Sequence, residues 1–552
     1  MKKRYTYLYN LLFPALIYAT ATGISVGICI VLFKFCASRV MQFSDQLYTY
    51  LRLHPCWIAI AIAALFGIAA LYYAVCKRHP NLRGGGIPTS IGILRGLYPF
   101  RWLHNLIGVF VLSLCTFFIS VPLGTEGPSV QMGTAVGRGI TRIGSRTAGA
   151  KHAAWDRYLM TAGASAGFCT ATDAPISGMM FVIEEAHQRI SPMIVLVSTV
   201  AVTAAKVTSN LLSPLLGINT YLFPPMNLIV LDVRDLWLPS LIALSVGLFA
   251  VVFLKSYTVL RAVWQRTFRW IDAHLPARVR TSLSGILSFF TAFLLTLAFG
   301  LLSDDHRSSG HHLIEELMHG HLFWFSIIGL VATRMTIMIL ANSAGVTGGM
   351  FLPIMALGAM ISSIIGGYLI THTPLTAGYY PVVVVLGITA CIASMMKMPL
   401  TAITFAIEVL SAHKNIIPVL LVSVLSYLIT ELFGAESINE HVLEHRLEDT
   451  RRSVEPVLFD GCITVRENSF AVGKQIRDIF WPANLFVLSV QHSPDTSAEV
   501  DEHGGRTLHP GDILHIRYST YDQQETIAAL FAIVGPQDHS VQENGENSSE
   551  CA

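Results

Sequence analysis

Apolar residues along this chain come in long unbroken runs, not in an alternation of period two or a narrow stripe of period 3.6. Trp57–Ala74, Leu106–Val121, Ile194–Ala205, Leu238–Leu254 and Ile286–Leu302 contain no charged residue. A helix needs about 20 apolar residues to cross a bilayer, and shorter runs serve as partial spans. So many uncharged runs at short intervals predict a polytopic helical membrane domain over residues 1–447, because a buried soluble core does not call for them. Met1-Lys-Lys-Arg4 precedes an apolar stretch that continues past Ile30 without a small-residue cleavage site. This predicts a first membrane helix and not a removed signal peptide.

The pattern changes near Ser453. Val457–Val465 and Leu485–Val490 read as strands, and Val472–Ile479 has helical spacing that Pro482 stops. His509-Pro-Gly-Asp512 reads as a turn, and the alternation of Ile513-Leu-His-Ile-Arg517 as a half-buried strand. Thr520–Val534 reads as a closing helix. The expected order over residues 453–536 is β-α-β-β-β-α, a small α+β domain. Residues 537–552 are polar and are expected to be disordered.

Composition agrees with this division. The 552 residues are 53% hydrophobic and 13% charged, against roughly 25% charged in soluble domains. Seven of the cysteines (Cys29, Cys36, Cys56, Cys76, Cys115, Cys169, Cys391) lie mostly in apolar segments, without a CxxC or Cys/His cluster, and read as small core residues rather than a disulfide frame or metal site. A net charge of +2 offers no sign of a nucleic-acid partner. Basic residues gather at Lys77/Arg78/Arg83, at Arg138/Arg142/Arg146/Lys151/Arg157 and at Arg261/Arg266/Arg269/Arg278/Arg280. The loop Ser303–His321 instead carries Asp304, Asp305, Glu315 and Glu316 against Arg307. The positive-inside rule then places the basic loops and both termini on the cytoplasmic side of a cell membrane.

Two parts of the chain resemble each other. Gly124-Thr-Glu-Gly-Pro128 is followed by Gly133, and Gly349-Met-Phe-Leu-Pro353 by Gly358, at the same spacing. Gly163, Pro175 and Glu184 are spaced like Gly387, Pro399 and Glu408; the set from Gly124 recurs at an offset of 225 residues and the set from Gly163 at 224. Two repeat halves follow, roughly 10–220 and 235–445. Such repeats typify secondary transporters, whose substrate sites lie near the midplane where discontinuous helices meet.

Gly84-Gly-Gly-Ile-Pro88, Gly124-Thr-Glu-Gly-Pro128 and Gly349-Met-Phe-Leu-Pro353 each interrupt apolar sequence just before a helix-compatible run. Proline suits the first turn of a helix, and glycine allows the tight entry. A helix that begins inside the membrane presents unpaired N–H groups and a partial positive charge. Several aimed at one point hold an anion without a full countercharge. Glu126 sits at one of these starts. An ionisable group there is costly and marks function: as a carboxylate it imitates the anion, and protonated it leaves. Glu184 and Glu185 close the run Met179–Ile183 and offer a second, inner proton acceptor.

Taken together these segments resemble the CLC family of chloride channels and chloride/proton antiporters. Gly-Gly-Gly-Ile-Pro is similar to the family's Gly-Ser-Gly-Ile-Pro, Gly-Thr-Glu-Gly-Pro to its Gly-Lys/Arg-Glu-Gly-Pro, and Gly-Met-Phe-Leu-Pro to its Gly-x-Phe-x-Pro. Phe181-Val-Ile-Glu-Glu185 is similar to the segment with the inner proton glutamate. The resemblance implies a homodimer with one anion pathway per subunit. It implies Glu126 as the external gate and Glu185 as the internal proton acceptor. Anion contacts fall at Gly85, Gly86, Ile87, Glu126, Gly127, Met350, Phe351 and Asn439, with the amides of Met350 and Phe351 as ligands. Two positions depart from the pattern: Gly85 replaces the serine, and Asn439 aligns with the inner-gate tyrosine.

The expected function is proton-coupled chloride antiport. The alternatives are an uncoupled voltage- or ligand-gated chloride channel, or a carrier selective for fluoride or nitrate. No enzyme motif and no metal-type histidine spacing on one helix occurs in apolar sequence. Residues 453–536 resemble the TrkA-C domains of potassium-channel regulators, through the Gly…Ile-Arg-Asp segment, the following proline and the late Gly511-Asp512. That resemblance implies dimeric association and a regulatory nucleotide. No other cofactor is expected.

Overall fold

A computed structural model describes residues 13–97, 100–148, 154–187, 190–276, 280–320, 324–451, 457–482, 485–492, 504–520 and 523–537. Met1–Arg4 and residues 538–552 lie outside the described residues. Among those described, nine helices are long and apolar enough to cross a membrane. The first half contains α1 (Phe13–Leu53), α2 (Ile58–Arg78), α3 (Ile87–Leu94), α4 (Trp102–Ile119), α5 (Glu126–Ala148), α6 (Asp156–Thr172), α7 (Pro175–Phe181) and α8 (Pro192–Leu215). The second contains α9 (Trp237–His274), α10 (Arg280–Leu302), α11 (His311–Met318), α12 (Trp324–Ala344), α13 (Phe351–His372), α14 (Tyr380–Met395), α15 (Pro399–Glu408), α16 (Ile416–Leu432) and α17 (Ile438–Arg451).

The repeat glycines are where helices cross. A methyl group on Gly133 of α5 would stand 2.1 Å from the Gly163 carbonyl oxygen of α6, and one on Gly163 2.1 Å from that of Gly133. In the second half, a methyl on Gly358 would meet the Gly387 carbonyl at 2.5 Å. Small residues allow such close backbone approach in membrane helices. Gly163→Ala is therefore expected to cost about 1–3 kcal/mol of packing strain. Thermal unfolding in detergent should shift down by several degrees, whereas Gly67→Ala, with open space around it, should leave it unchanged.

The halves also clasp each other. Glu184 accepts hydrogen bonds from the backbone N–H of Leu400 (2.9 Å) and Thr401 (2.8 Å) and from the Thr401 hydroxyl (2.8 Å). Its repeat partner Glu408 accepts the same set from Ile176 (2.8 Å), Ser177 (2.9 Å) and the Ser177 hydroxyl (2.8 Å). Each carboxylate thus caps the positive end of a short helix in the other half.

The terminal domain has β1 (Val457–Thr464), β2 (Leu485–Gln491), β3 (Ile513–Thr520) and α18 (Gln523–Val534), with an antiparallel sheet in the order β1-β3-β2. The expected helix over Val472–Ile479 is instead one 3-10 turn, Ile476–Asp478. Its backbone N–H groups are taken by the neighbouring segment: Gly473 donates to Leu508 (2.8 Å) and Ile476 to Arg506 (3.2 Å). Gly473, at φ +79°, already leaves the helical region. Among the described residues there are three strands where four were expected; residues 493–503, between β2 and β3, lie outside them. Gln537, the first residue of the expected disordered tail, is held by Thr464 (Nε2 to the carbonyl, 2.8 Å).

This domain rests on the corner before α6. Trp155 meets Phe470 edge-on at 5.4 Å, and the Tyr158 hydroxyl donates to the Asp478 carbonyl at 2.6 Å. Arg157 lies 4.4 Å over the Phe480 ring and donates to the carbonyls of Trp481 and Leu94, the latter at 2.6 Å. Phe480 also meets His187 edge-on at 4.8 Å, two residues beyond Glu185.

Candidate functional site

The three glycine-rich breaks meet backbone to backbone. Gly124 and Gly349 form a two-bond antiparallel bridge, N–H to carbonyl at 2.7 and 2.8 Å, which pairs the two halves at their repeat-related positions. A methyl on Gly127 would lie 2.2 Å from the Gly85 carbonyl oxygen and 2.7 Å from the Gly349 Cα. Gly86, at φ +71°, faces Gly127 so closely that a Cβ would stand 2.2 Å from its carbonyl carbon. Only glycine fits there. Helices α3, α5 and α13 therefore start at one buried junction. Neither the α3 nor the α13 start has a side-chain cap, so the N-terminal partial charge is left for something else. Met350 and Phe351 are both buried at the α13 start. The Ile87 N–H is already committed, to the Gly85 carbonyl at 2.7 Å.

Glu126 is fully buried at the first position of α5. Its Oε2 occupies the space where a Gly124 side chain would be, beside Leu352 in the first turn of α13. That oxygen has no hydrogen-bond partner among the described residues. A carboxylate oxygen at a helix start has the charge and placement to imitate an anion. Lys34, on α1, is near enough to act electrostatically on Glu126.

Glu185 lies in a single π turn, Val182–His187, where the wider helix turns the carboxylate into the protein. It is 3% exposed. The Ser437 hydroxyl stands 3.2 Å from its Oε1 and 3.1 Å from the Met396 carbonyl. Asn439 is also beside Glu185. It stands on the first turn of α17, which packs against α3, and its buried side-chain amide faces the Glu185 carboxylate. Geometry separates the two adjacent acids: Glu184 is consumed as a helix cap, and Glu185 faces inward.

Three residues escaped the sequence reading. Arg261 counts there as a basic loop residue, but it lies inside α9 and is 8% exposed. Its Nη1 donates to the Tyr257 hydroxyl at 3.3 Å, and that hydroxyl donates to Asn342 Oδ1 at 2.6 Å. Asn342 Nδ2 is left buried and unpartnered. It points near Gly85, 3.7 Å from where a side chain there would begin. A buried amide without an acceptor costs about 1–3 kcal/mol, a cost that a water or an anion in that space would offset. The signal was present: Asn342 is a polar group in an apolar span, and the repeat offset puts Phe117 at its counterpart.

The family model for voltage gated chloride channels matches residues 68–431. The chain belongs to this family. It is 26% identical over 407 residues to the H(+)/Cl(-) exchange transporter ClcA of Vibrio vulnificus strain YJ016, covering 72% of this chain and 82% of that one. Against the ClcA of Salmonella paratyphi B it is 26% identical over 399 residues, covering 71% and 79%. Its fold is that of a slow cyanobacterial Cl-/H+ antiporter (TM-score 0.69, 22% identity, 79% of this chain and 99% of that one). A CLC-type fluoride/proton antiporter is also similar (TM-score 0.62, 17% identity, 77% and 97%).

Proposed function

We propose that this protein exchanges chloride for protons across a membrane, one anion pathway per subunit of a homodimer. The observation that carries this reading is Glu126: a fully buried carboxylate with a bare oxygen at the junction of three helix starts. When it is charged it competes with the anion for those N–H groups. When it is protonated it withdraws, so anion and proton alternate at one place. Glu185 passes protons between the inner solution and Glu126. The similar ClcA proteins of Vibrio vulnificus and Salmonella paratyphi B are proton/chloride exchange transporters, which supports the same chemistry. Met350 and Phe351 supply backbone donors. Asn342 adds a side-chain donor, polarised by Arg261 through Tyr257, in the space left by the glycine at position 85. Both termini face the cytoplasm of a cell whose plasma membrane holds the protein. The terminal domain regulates transport through the Phe480 contact, with a nucleotide as its ligand.

Gly85 favours one further reading. No hydroxyl projects from the first break, so selectivity shifts toward fluoride or nitrate, or coupling loosens toward a channel. Efflux from liposomes loaded in turn with chloride, nitrate and fluoride tests the proposal; fastest chloride efflux is expected, and no efflux of any of the three would overturn it. In the same assay Asn342→Leu should weaken chloride binding by about tenfold or more, the usual worth of one hydrogen bond to a charge. Calorimetric titration of chloride into purified protein reads this directly.

A further inference from the structure

The terminal domain contains a side-chain cluster that anion transport does not use. Strands β2 and β3 are antiparallel, with Gln491 opposite Ile513. The register therefore sets His492, just past β2, opposite Asp512, just before β3. The turn His509-Pro-Gly-Asp512, with Gly511 at φ +90°, brings His509 back to the same edge. One imidazole nitrogen from each histidine and a carboxylate oxygen of Asp512 lie within 4.8 Å of one another. The His492 Nδ1 contacts Asp512 Oδ1, and the two imidazole rings are 5.7 Å apart.

We propose that His492, His509 and Asp512 bind a first-row divalent cation of the zinc class. Two imidazoles and a carboxylate suit zinc and its neighbours, whereas magnesium and calcium take oxygen-rich sets. Asp512 is 1% exposed and both histidines are exposed, so the carboxylate forms the floor and the imidazoles close over it from solvent. Its second oxygen, Oδ2, accepts the His509 backbone N–H at 2.9 Å. That bond fixes the carboxylate and leaves Oδ1 to coordinate, the orienting role outer hydrogen bonds play at metal sites. Three protein ligands leave a fourth position for water. The site also adjoins the docking surface. Residues 506–508 lead into His509 and pair with residues 473–476, which run on to Phe480 and Trp481 against the membrane domain.

Co2+ titration of the full-length, metal-stripped protein in detergent, followed by visible absorption, tests the site. The parent should bind one more Co2+ per chain than the double variant H492A/H509A, and Zn2+ should displace it. Both histidines are exposed, so the variant should keep the parent's elution profile and melting temperature. His441 and His445, a pair 3.2 Å apart on α17, remain in both proteins, so only the difference counts. D512N, which keeps an acceptor for the His509 N–H, should weaken that one site by about tenfold or more. Equal Co2+ stoichiometry and affinity in parent and double variant would overturn the proposal.

Discussion

Glu126→Gln should bring proton movement to the background of empty liposomes while anion efflux continues. The amide copies the shape of a protonated carboxyl, so the variant is fixed in the withdrawn state and cannot carry a proton. Positioned proton-transfer groups contribute roughly 10²–10⁴-fold to rates, so the loss should be complete within the assay. The fully buried position of Glu126 and its bare Oε2 at the α13 start are what make the substitution so consequential. Proton movement equal to the parent's would remove Glu126 from the role assigned to it.

Glu185→Gln should reduce proton transport by at least about tenfold, on the same scale for proton-transfer groups, with anion efflux retained. Glu184→Gln should behave differently. Glu184 caps α15 through three hydrogen bonds, so its loss should lower the melting temperature and both fluxes together. The pair distinguishes a proton acceptor from a clasp at adjacent positions. Identical coupling in parent and Glu185→Gln would return Glu185 to a structural role at a helix end.

Much of the membrane domain was legible because the bilayer imposes strong rules. Uncharged runs such as Leu106–Val121 and Ile286–Leu302 have few alternatives to spanning helices, and α4 and α10 lie there. The repeat was legible because Gly133, Gly163, Gly358 and Gly387 lie at close helix crossings, where any side chain would strain the packing. The meeting of Gly124 with Gly349 follows from the same symmetry.

What was not legible depended on contacts between distant segments. Arg261 looked like an orientation signal because charge in sequence does not reveal burial, and only the long helix α9 carries it inward. Composition alone left Glu184 and Glu185 equivalent, and the family resemblance pointed to Glu185; the physical difference between them is the π turn, which redirects side chains without any mark in composition. In the terminal domain, the apparent helix at Val472–Ile479 lost to pairing with residues 506–508, since Gly473 at φ +79° breaks the local preference. The cluster of His492, His509 and Asp512 required strand register, which joins positions far apart in the chain.

The most direct test of coupled exchange is made on the parent protein in liposomes. With a chloride gradient as the sole driving force, internal pH and chloride are recorded together. Protons driven against their own gradient by chloride movement, at a fixed ratio, is the predicted result. Chloride flux that leaves the proton gradient untouched would contradict the account and make the protein a channel.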